Sequence, residues 1–301
     1  MRHLISIGDL SRDEVEGLLE SAARLARTED RLPALRGKLV LSLFFEPSTR
    51  TSSSFELAAK RLSADVMSLK ASGSSVDKGE SLKDTVLTLT QYAPAAIVVR
   101  HPHIGAPELV ARHSGAAVVN AGDGKRQHPT QALLDLFTIR ESLGRLDGLH
   151  VAIVGDVLHS RVARSLVQAL GLVGARTTLV GPPTLLPRGI EALGCETSTE
   201  IGAIADADVV YVLRMQRERM ESAFVPSLRE YAARWGVTPE RLRPGQKVMH
   251  PGPINRGVEI DGRVADSPDS LILEQVRSGL AVRMAVLREL LAARPALEVV
   301  A

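Results

Sequence analysis

The chain has 301 residues, 45% of them hydrophobic and 24% charged, which suits one large globular domain or two ordinary ones and excludes a mostly disordered chain. Lys and Arg number 37 against 35 Asp and Glu, a net charge of +2, and aromatics are only 3%, which argues against bulk nucleic-acid binding and base stacking. No apolar run approaches the roughly 18–20 residues of a membrane span, Met1 to Leu10 lacks a secretory pattern, and the single cysteine, Cys195, can form neither an internal disulfide nor a thiolate zinc cage, so a cytoplasmic chain without structural metal is expected.

Ser11-Arg-Asp-Glu14 fits a capping box, and Val15, Leu18, Leu19, Ala22, Leu25 and Ala26 follow at helical spacing. Lys38–Phe45 reads as a buried strand, Phe55 to Leu62 as a short helix, and Asp65–Leu69 as a strand. Leu82, Val86, Leu87 and Leu89 mark a helix before the strand Ala95–Val99, and Glu108–His113 a helix before the strand Ala116–Val119. This β-α-β-α-β-α-β order predicts a parallel sheet covered by helices. A long helix from about Thr130 to Leu143 leads to a boundary at Gly144–Gly148. The pattern restarts with strands at Val151–Val154, Thr177–Val180, Val209–Leu213 and Lys247–Met249, and a last helix covers about Ser270 to Ala293. Two α/β domains of similar size are expected.

Ligands of such sheets bind at the carboxyl ends of strands. Phe44-Phe45-Glu46-Pro47-Ser48-Thr49-Arg50-Thr51-Ser52 leaves the first strand and opens a helix. Hydroxyls, one arginine and free backbone N–H groups at a helix N-terminus suit a phosphate; an ordinary cap needs only one hydroxyl. Neither nucleotide fingerprint is met. Gly155-Asp156 lacks the second and third glycines of a dinucleotide motif, and Val119 stands where a P-loop ahead of Gly124-Lys125 would need its first glycine.

Arg100-His101-Pro102 follows the third strand, and Asn120–Gly124 with Gln127-His128-Pro129-Thr130-Gln131 follows the fourth. His128 could donate to a carbonyl oxygen or simply cap a helix. Arg161 and the Arg214–Arg219 stretch could be solvated helix faces or carboxylate forks. In His250-Pro251-Gly252-Pro253, two prolines fix the backbone around free carbonyl oxygens. Ser72–Glu80, with Lys78, reads by itself as a flexible surface loop.

These clusters, in this order and over almost the whole chain, resemble the catalytic chains of the aspartate/ornithine carbamoyltransferase superfamily, on its aspartate branch. The ornithine branch shares the Ser-Thr-Arg-Thr loop but carries Ser-Met-Gly and His-Cys-Leu-Pro elements, where this chain has Arg214-x-Gln216-x-x-Arg219 and His250–Pro253. Departures from the family pattern are modest: Asp77 at an often basic position, Gly252 where some members have leucine, and Val162 where some have a hydroxyl residue.

The resemblance implies an α/β fold of two doubly wound parallel-sheet domains joined by long helices: residues 1–135 plus 275–301 for carbamoyl phosphate, 136–274 for aspartate. It implies transfer of the carbamoyl group to the α-amino group of L-aspartate, the committed step towards pyrimidines, without cofactor or metal. Ser48, Thr49, Arg50 and Thr51, with Arg100, would hold the phosphate. Thr51, Arg100 and His128 would address the carbonyl oxygen, and Gln131 with the carbonyls of Gly252 and Pro253 the carbamoyl NH2. Arg161 would take the α-carboxylate, and Arg214 with Gln216 the side-chain carboxylate. Ser74 and Lys78 would enter the site of a neighbouring subunit in a homotrimer, Lys78 serving both substrates. Glu46 would pair with Arg161 and Arg219 on domain closure. Regulatory chains, dihydroorotase and nucleotide control are left open. A catalytically silent scaffold is the reading from another class, and the presence of Arg50, Lys78, Arg100, His128, Arg161 and Arg214 weighs against it.

Overall fold

The computed structural model describes residues 1–28, 30–70, 79–216 and 224–292. Its contacts divide the chain into two units, Met1–Thr130 with Ser278–Ala301, and Gln131–Arg277.

The first unit opens with helix α1 (Arg12–Ala26), where the Ser11 hydroxyl accepts from Glu14 N and the Glu14 carboxylate accepts from Ser11 N, the reciprocal pair read from the sequence. Its buried stripe is Val15, Leu18, Leu19, Ala22 and Leu25. Then come β1 (Leu39–Phe44), α2 (Thr49–Arg61), β2 (Asp65–Lys70), α3 (Leu82–Thr90), β3 (Ala96–His101), α4 (Ala106–Ser114) and β4 (Ala117–Asp123). The strands are all parallel, in the order β2-β1-β3-β4. Leu41, Leu43, Ile97, Val99 and Val118 pack with Val86 and Leu89 of α3 and Val110 of α4.

The second unit contains nearly all of α5 (Pro129–Leu143), then β5 (His150–Val154), α6 (Arg161–Leu172), β6 (Arg176–Val180), β7 (Glu196–Ser198), β8 (Val209–Val212), α7 (Leu228–Trp235), β9 (Lys247–Met249) and α8 (Gly262–Ala265). Its parallel sheet runs β7-β6-β5-β8-β9. The last helix, α9 (Ile272–Ala292), starts in this unit and ends in the first. There Arg283 donates to the Ser54 hydroxyl of α2 at 2.7 Å and lies over the Phe55 ring, while Lys38 Nζ donates to the Leu291 carbonyl at 3.0 Å. No helix among the described residues is long and apolar enough to cross a membrane.

Both sheets are doubly wound, as expected, but several boundaries differ. Helix α2 begins at Thr49 rather than near Phe55, so the hydroxyl cluster lies inside its first turn. Strands β3 and β4 run on to His101 and Asp123, because Arg100 pairs with Phe44 and Asp123 with His101 across the sheet. Arg100 and Asn120 are thus held by strand ladders, not by loops.

In each sheet the first strand lies inside. From β1 the chain winds out to β2, then crosses back to β3; from β5 it winds out to β6 and β7, then returns to β8. Each reversal opens a crevice at the carboxyl ends of the two diverging strands, β1/β3 and β5/β8.

Gly155, at the end of β5, shows how tightly the second crevice is built. Its φ is +126°, and a Cβ there would lie 3.0 Å from both the Leu213 carbonyl and the Tyr231 hydroxyl. One of these contacts is backbone and cannot swing away. Gly155→Ala should therefore destabilise the second unit by about 1–3 kcal/mol and lower its thermal midpoint by several degrees. An unchanged midpoint in calorimetry would show that the strand end can relax.

Candidate functional site

At the first crevice Ser48 is the N-cap residue of α2, and Thr49, Arg50 and Thr51 form its first turn. Thr49 and Arg50 are exposed and Thr51 is buried. Arg100 reaches this turn from the neighbouring strand. Its NH1 donates to the Ser48 hydroxyl at 3.1 Å and its Nε to Glu46 Oε2 at 3.2 Å. Glu46 thereby aims one guanidinium at the N-terminus of α2, where unbonded N–H groups and the helix dipole already favour an anion. Within this unit Glu46 serves Arg100; Arg219, one of its two expected partners, lies outside the described residues.

His128 is placed by the turn before it. Asp123 is fully buried and collects three donors: Asn120 Nδ2 at 2.8 Å, Gln127 N at 3.1 Å and Gly105 N at 3.2 Å. Burial pushes its carboxyl up, opposed by these hydrogen bonds. Gly124 N donates to the His101 carbonyl at 2.9 Å, tying the turn to the end of β3 beside Arg100. The Phe45 and His101 rings meet at a tilt of 57° with centroids 4.6 Å apart, and burial together with His103 pulls the His101 imidazole below its usual pKa. The sequence alone assigns no task to Asn120 and Asp123. They hold the turn that delivers His128 to the start of α5.

At the second crevice Arg161 is the first residue of α6, 4% exposed, behind the N-cap Ser160 whose hydroxyl accepts from Ala163 N at 3.1 Å. Arg214 and Gln216, both half-buried, follow β8. Asp156 joins the two loops. Its Oδ1 accepts from His159 N at 3.2 Å and faces His159 Nδ1 at 2.8 Å, while Oδ2 accepts from Gln216 N at 3.2 Å. Asp156 is another residue whose role was missed, although a carboxylate directly after Val151-Ala-Ile-Val-Gly155 was a signal of it.

Gln131 lies in the first turn of α5, and Gly252 and Pro253 follow β9. Gly252 N donates to His250 Nδ1 at 2.8 Å, which makes Nε2 the protonated ring nitrogen, 3.2 Å from Glu259 Oε1. Glu259 Oε1 also accepts from Asn255 N at 2.6 Å, closing the loop 250–255 on one imidazole and one carboxylate. Ser74 and Lys78 lie outside the described residues. Among the described residues no group of three or more His, Cys, Asp or Glu could hold a metal ion.

One crevice thus carries hydroxyls and arginines around a helix N-terminus, and the other carries two further arginines. The carbamoyl-phosphate-binding domain of aspartate/ornithine carbamoyltransferase matches residues 2–141, and the aspartate/ornithine-binding domain of the same family matches residues 147–290. The aspartate carbamoyltransferase catalytic subunit of Acidothermus cellulolyticus is 56% identical over 97% of this chain and 93% of its own length. That of Sorangium cellulosum is 56% identical over 95% and 92%. Aspartate transcarbamoylase from Trypanosoma cruzi, solved with carbamoyl phosphate and aspartate, superposes with a TM-score of 0.89 at 32% identity, covering 96% of this chain and 97% of that one. The catalytic subunit of M. jannaschii aspartate transcarbamoylase gives 0.86 at 38% identity, covering 96% and 98%. With both family domains matched in order and relatives this similar along their full length, the chain belongs to the aspartate/ornithine carbamoyltransferase family.

Proposed function

We propose that this chain transfers the carbamoyl group of carbamoyl phosphate to the α-amino group of L-aspartate, giving N-carbamoyl-L-aspartate and phosphate, an early step of pyrimidine synthesis. One observation carries the reading: each unit has one arginine in the first turn of a helix and a second at the end of a strand, Arg50 with Arg100 in one unit and Arg161 with Arg214 in the other. A phosphate and a dicarboxylate amino acid are the ligands such a pair of sites calls for.

In this reading the first unit holds carbamoyl phosphate, with Ser48, Thr49, Arg50, Thr51 and Arg100 on its phosphate. The unit of Gln131–Arg277 holds aspartate, with Arg161 on the α-carboxylate and Arg214 and Gln216 on the side-chain carboxylate. The amine nitrogen attacks the carbonyl carbon. Charge gathers on the carbonyl oxygen, where Thr51, Arg100 and His128 donate, and the C–O bond to phosphate breaks with its electron pair. The amine proton passes to the leaving phosphate, so no separate base is required. Gln131 and the carbonyls of Gly252 and Pro253 accept from the carbamoyl NH2. The reading includes a cytoplasmic setting, supported by one unpaired, buried thiol, Cys195.

Assays with aspartate and with ornithine, run side by side, test the activity: carbamoyl transfer to aspartate with none to ornithine is expected, and the reverse would defeat the reading. Arg214→Ala should raise the KM for aspartate sharply and lower turnover, with carbamoyl-phosphate binding largely kept; equal loss for both substrates would remove Arg214 from its role.

His128→Ala should cut kcat by about 10²–10³, the scale of one lost oxyanion donor. A rate that does not change would leave His128 as a helix cap.

We further propose a homotrimer in which Ser74 and Lys78 of each chain complete a neighbour's site, a reading supported by the family pattern of Lys78-Gly79-Glu80. Lys78→Ala and Arg50→Ala proteins should each be nearly inactive. After subunit scrambling of an equal mixture, about a quarter of interfaces should combine an intact Arg50 with an intact Lys78 and recover activity. Hybrids verified by mass spectrometry that stay inactive would rule out the shared site.

A further inference from the structure

The groups assigned to the carbamoyl NH2 share one buried scaffold within the second unit. Asp135 lies one turn after Gln131 on α5, fully buried inside the run Leu133-Leu134-Asp135-Leu136-Phe137. Gln131 Nε2 donates to Asp135 Oδ1 at 3.0 Å, and Gln275 Nε2 donates to the same oxygen at 2.7 Å. The Tyr211 hydroxyl donates to Oδ2 at 2.8 Å. Burial and the adjacent carboxylate push the Tyr211 phenol well above its usual pKa, so it stays a donor. From Gln275 the scaffold continues: its Oε1 accepts from His250 N at 2.9 Å, and His250 Nδ1 accepts from Gly252 N at 2.8 Å. Asp135 therefore connects Gln131 to the loop of Gly252 and Pro253 through two side chains.

The chemistry of a carboxylate decides what this scaffold does. Both oxygens of Asp135 accept, from Gln131, Gln275 and Tyr211, so the planar amide of Gln131 turns its NH2 towards Asp135. The amide oxygen, on the other side of the same group, is then left as an acceptor. The carbonyls of Gly252 and Pro253 are acceptors by nature. We propose that Asp135 is a positioning residue that fixes Gln131 as a hydrogen-bond acceptor and, through Gln275 and His250, steadies the Gly252–Pro253 carbonyls, so that the site selects a carbonyl substrate bearing NH2 over one bearing a methyl group. This rests on the reading of Gln131, Gly252 and Pro253 given above. Without Asp135 the two ends of the Gln131 amide would be nearly equivalent, and the site would lose its demand for a donor.

The test uses the whole protein and two stable ligands that differ only at this group: phosphonoacetamide, with NH2 beside the carbonyl, and 2-oxopropylphosphonate, with CH3. Equilibrium titration gives the preference for the amide. Asp135→Asn offers an NH2 of its own, which lets the Gln131 amide turn over. It should lose about tenfold of the preference, entirely through weaker amide binding, the ketone being bound as before. Gln275→Met keeps the length of the side chain but cuts the link to His250; it should shift the preference in the same direction and decides the matter if Asp135→Asn does not fold. Gln131→Leu removes the acceptor itself. Equal weakening of both ligands in Asp135→Asn would mark a merely structural role and overturn the inference. So would an unchanged preference in Asp135→Asn, or in Gln275→Met where only that variant folds, while Gln131→Leu abolishes the preference. If Gln131→Leu keeps the preference, the reading of Gln131 fails first and the inference fails with it.

Discussion

A carboxylate taken out of water must be surrounded by donors, or its burial costs several kcal/mol. Four carboxylates in the described residues are fully buried: Asp123, Asp135, Asp156 and Glu259. Each is a point where separate stretches of chain are obliged to converge. Asp123 gathers N–H donors from Gly105, Asn120 and Gln127. Asp135 gathers Gln131, Tyr211 and Gln275, and Asp156 gathers His159 and Gln216. Glu259 gathers His250 and Asn255 on Oε1, while its Oε2 is buried without a hydrogen-bond partner. Among the described residues, each proposed substrate loop outside the N-terminus of α2 is anchored at one of these four points. The loops must be irregular to present polar groups, and irregular backbone is rigid only where something over-determines it. Here the requirement to satisfy a buried charge does so.

The sheets supply the places for these anchors. Asp123 ends β4, Asp156 follows β5, and the His250–Glu259 pair follows β9. The strands beneath are buried along most of their length, so their carboxyl ends are fixed by packing as well as by the parallel ladder. Winding both sheets outwards from an inner first strand gives each unit one reversal, and with it one crevice. That is why a chain of net charge +2 can handle two anionic ligands. Its cations need not be numerous when topology brings Arg100 to Ser48 and sets Gln216 against Asp156.

The sequence made legible what depends on neighbours in the chain. The capping box at Ser11, the apolar strand runs and the Ser48–Thr51 cluster are local patterns, and each has its counterpart in the structure. Strand β7 (Glu196–Ser198) was missed because it is a short, mostly exposed edge with no apolar alternation to mark it. The helix start at Thr49 was placed too late because polar residues fill its first turn, and periodicity sees only apolar ones. The scaffold around Asp135 was beyond local reading for a different reason. Tyr211 lies 76 residues away and Gln275 lies 140 residues away, and only the fold brings them together. A hint was nevertheless present: an aspartate between Leu134 and Leu136, in a helix buried over Pro129–Ile139, is a charge that has to be answered somewhere.

The helix N-termini separate stability from function. An acidic residue in the first turn favours a helix by about 0.3–1 kcal/mol through the dipole. Helices α1, α3, α4, α7 and α9 all have one: Asp13 and Glu14, Asp84, Glu108, Glu230 and Glu274. Apart from the single-turn α8, helices α2, α5 and α6 have none, and two of them carry arginine there instead, Arg50 and Arg161. A cation at that end opposes the dipole, and at Arg161 it is also buried. The dipoles of α2 and α6 do not ask for this arrangement. It suits the ligands proposed for these two helices, a phosphate at α2 and a carboxylate at α6. Among the helices longer than a single turn, the three that lack a first-turn acid are the three that begin at the proposed substrate residues, so the local breach of a stabilising rule coincides with the proposed chemistry.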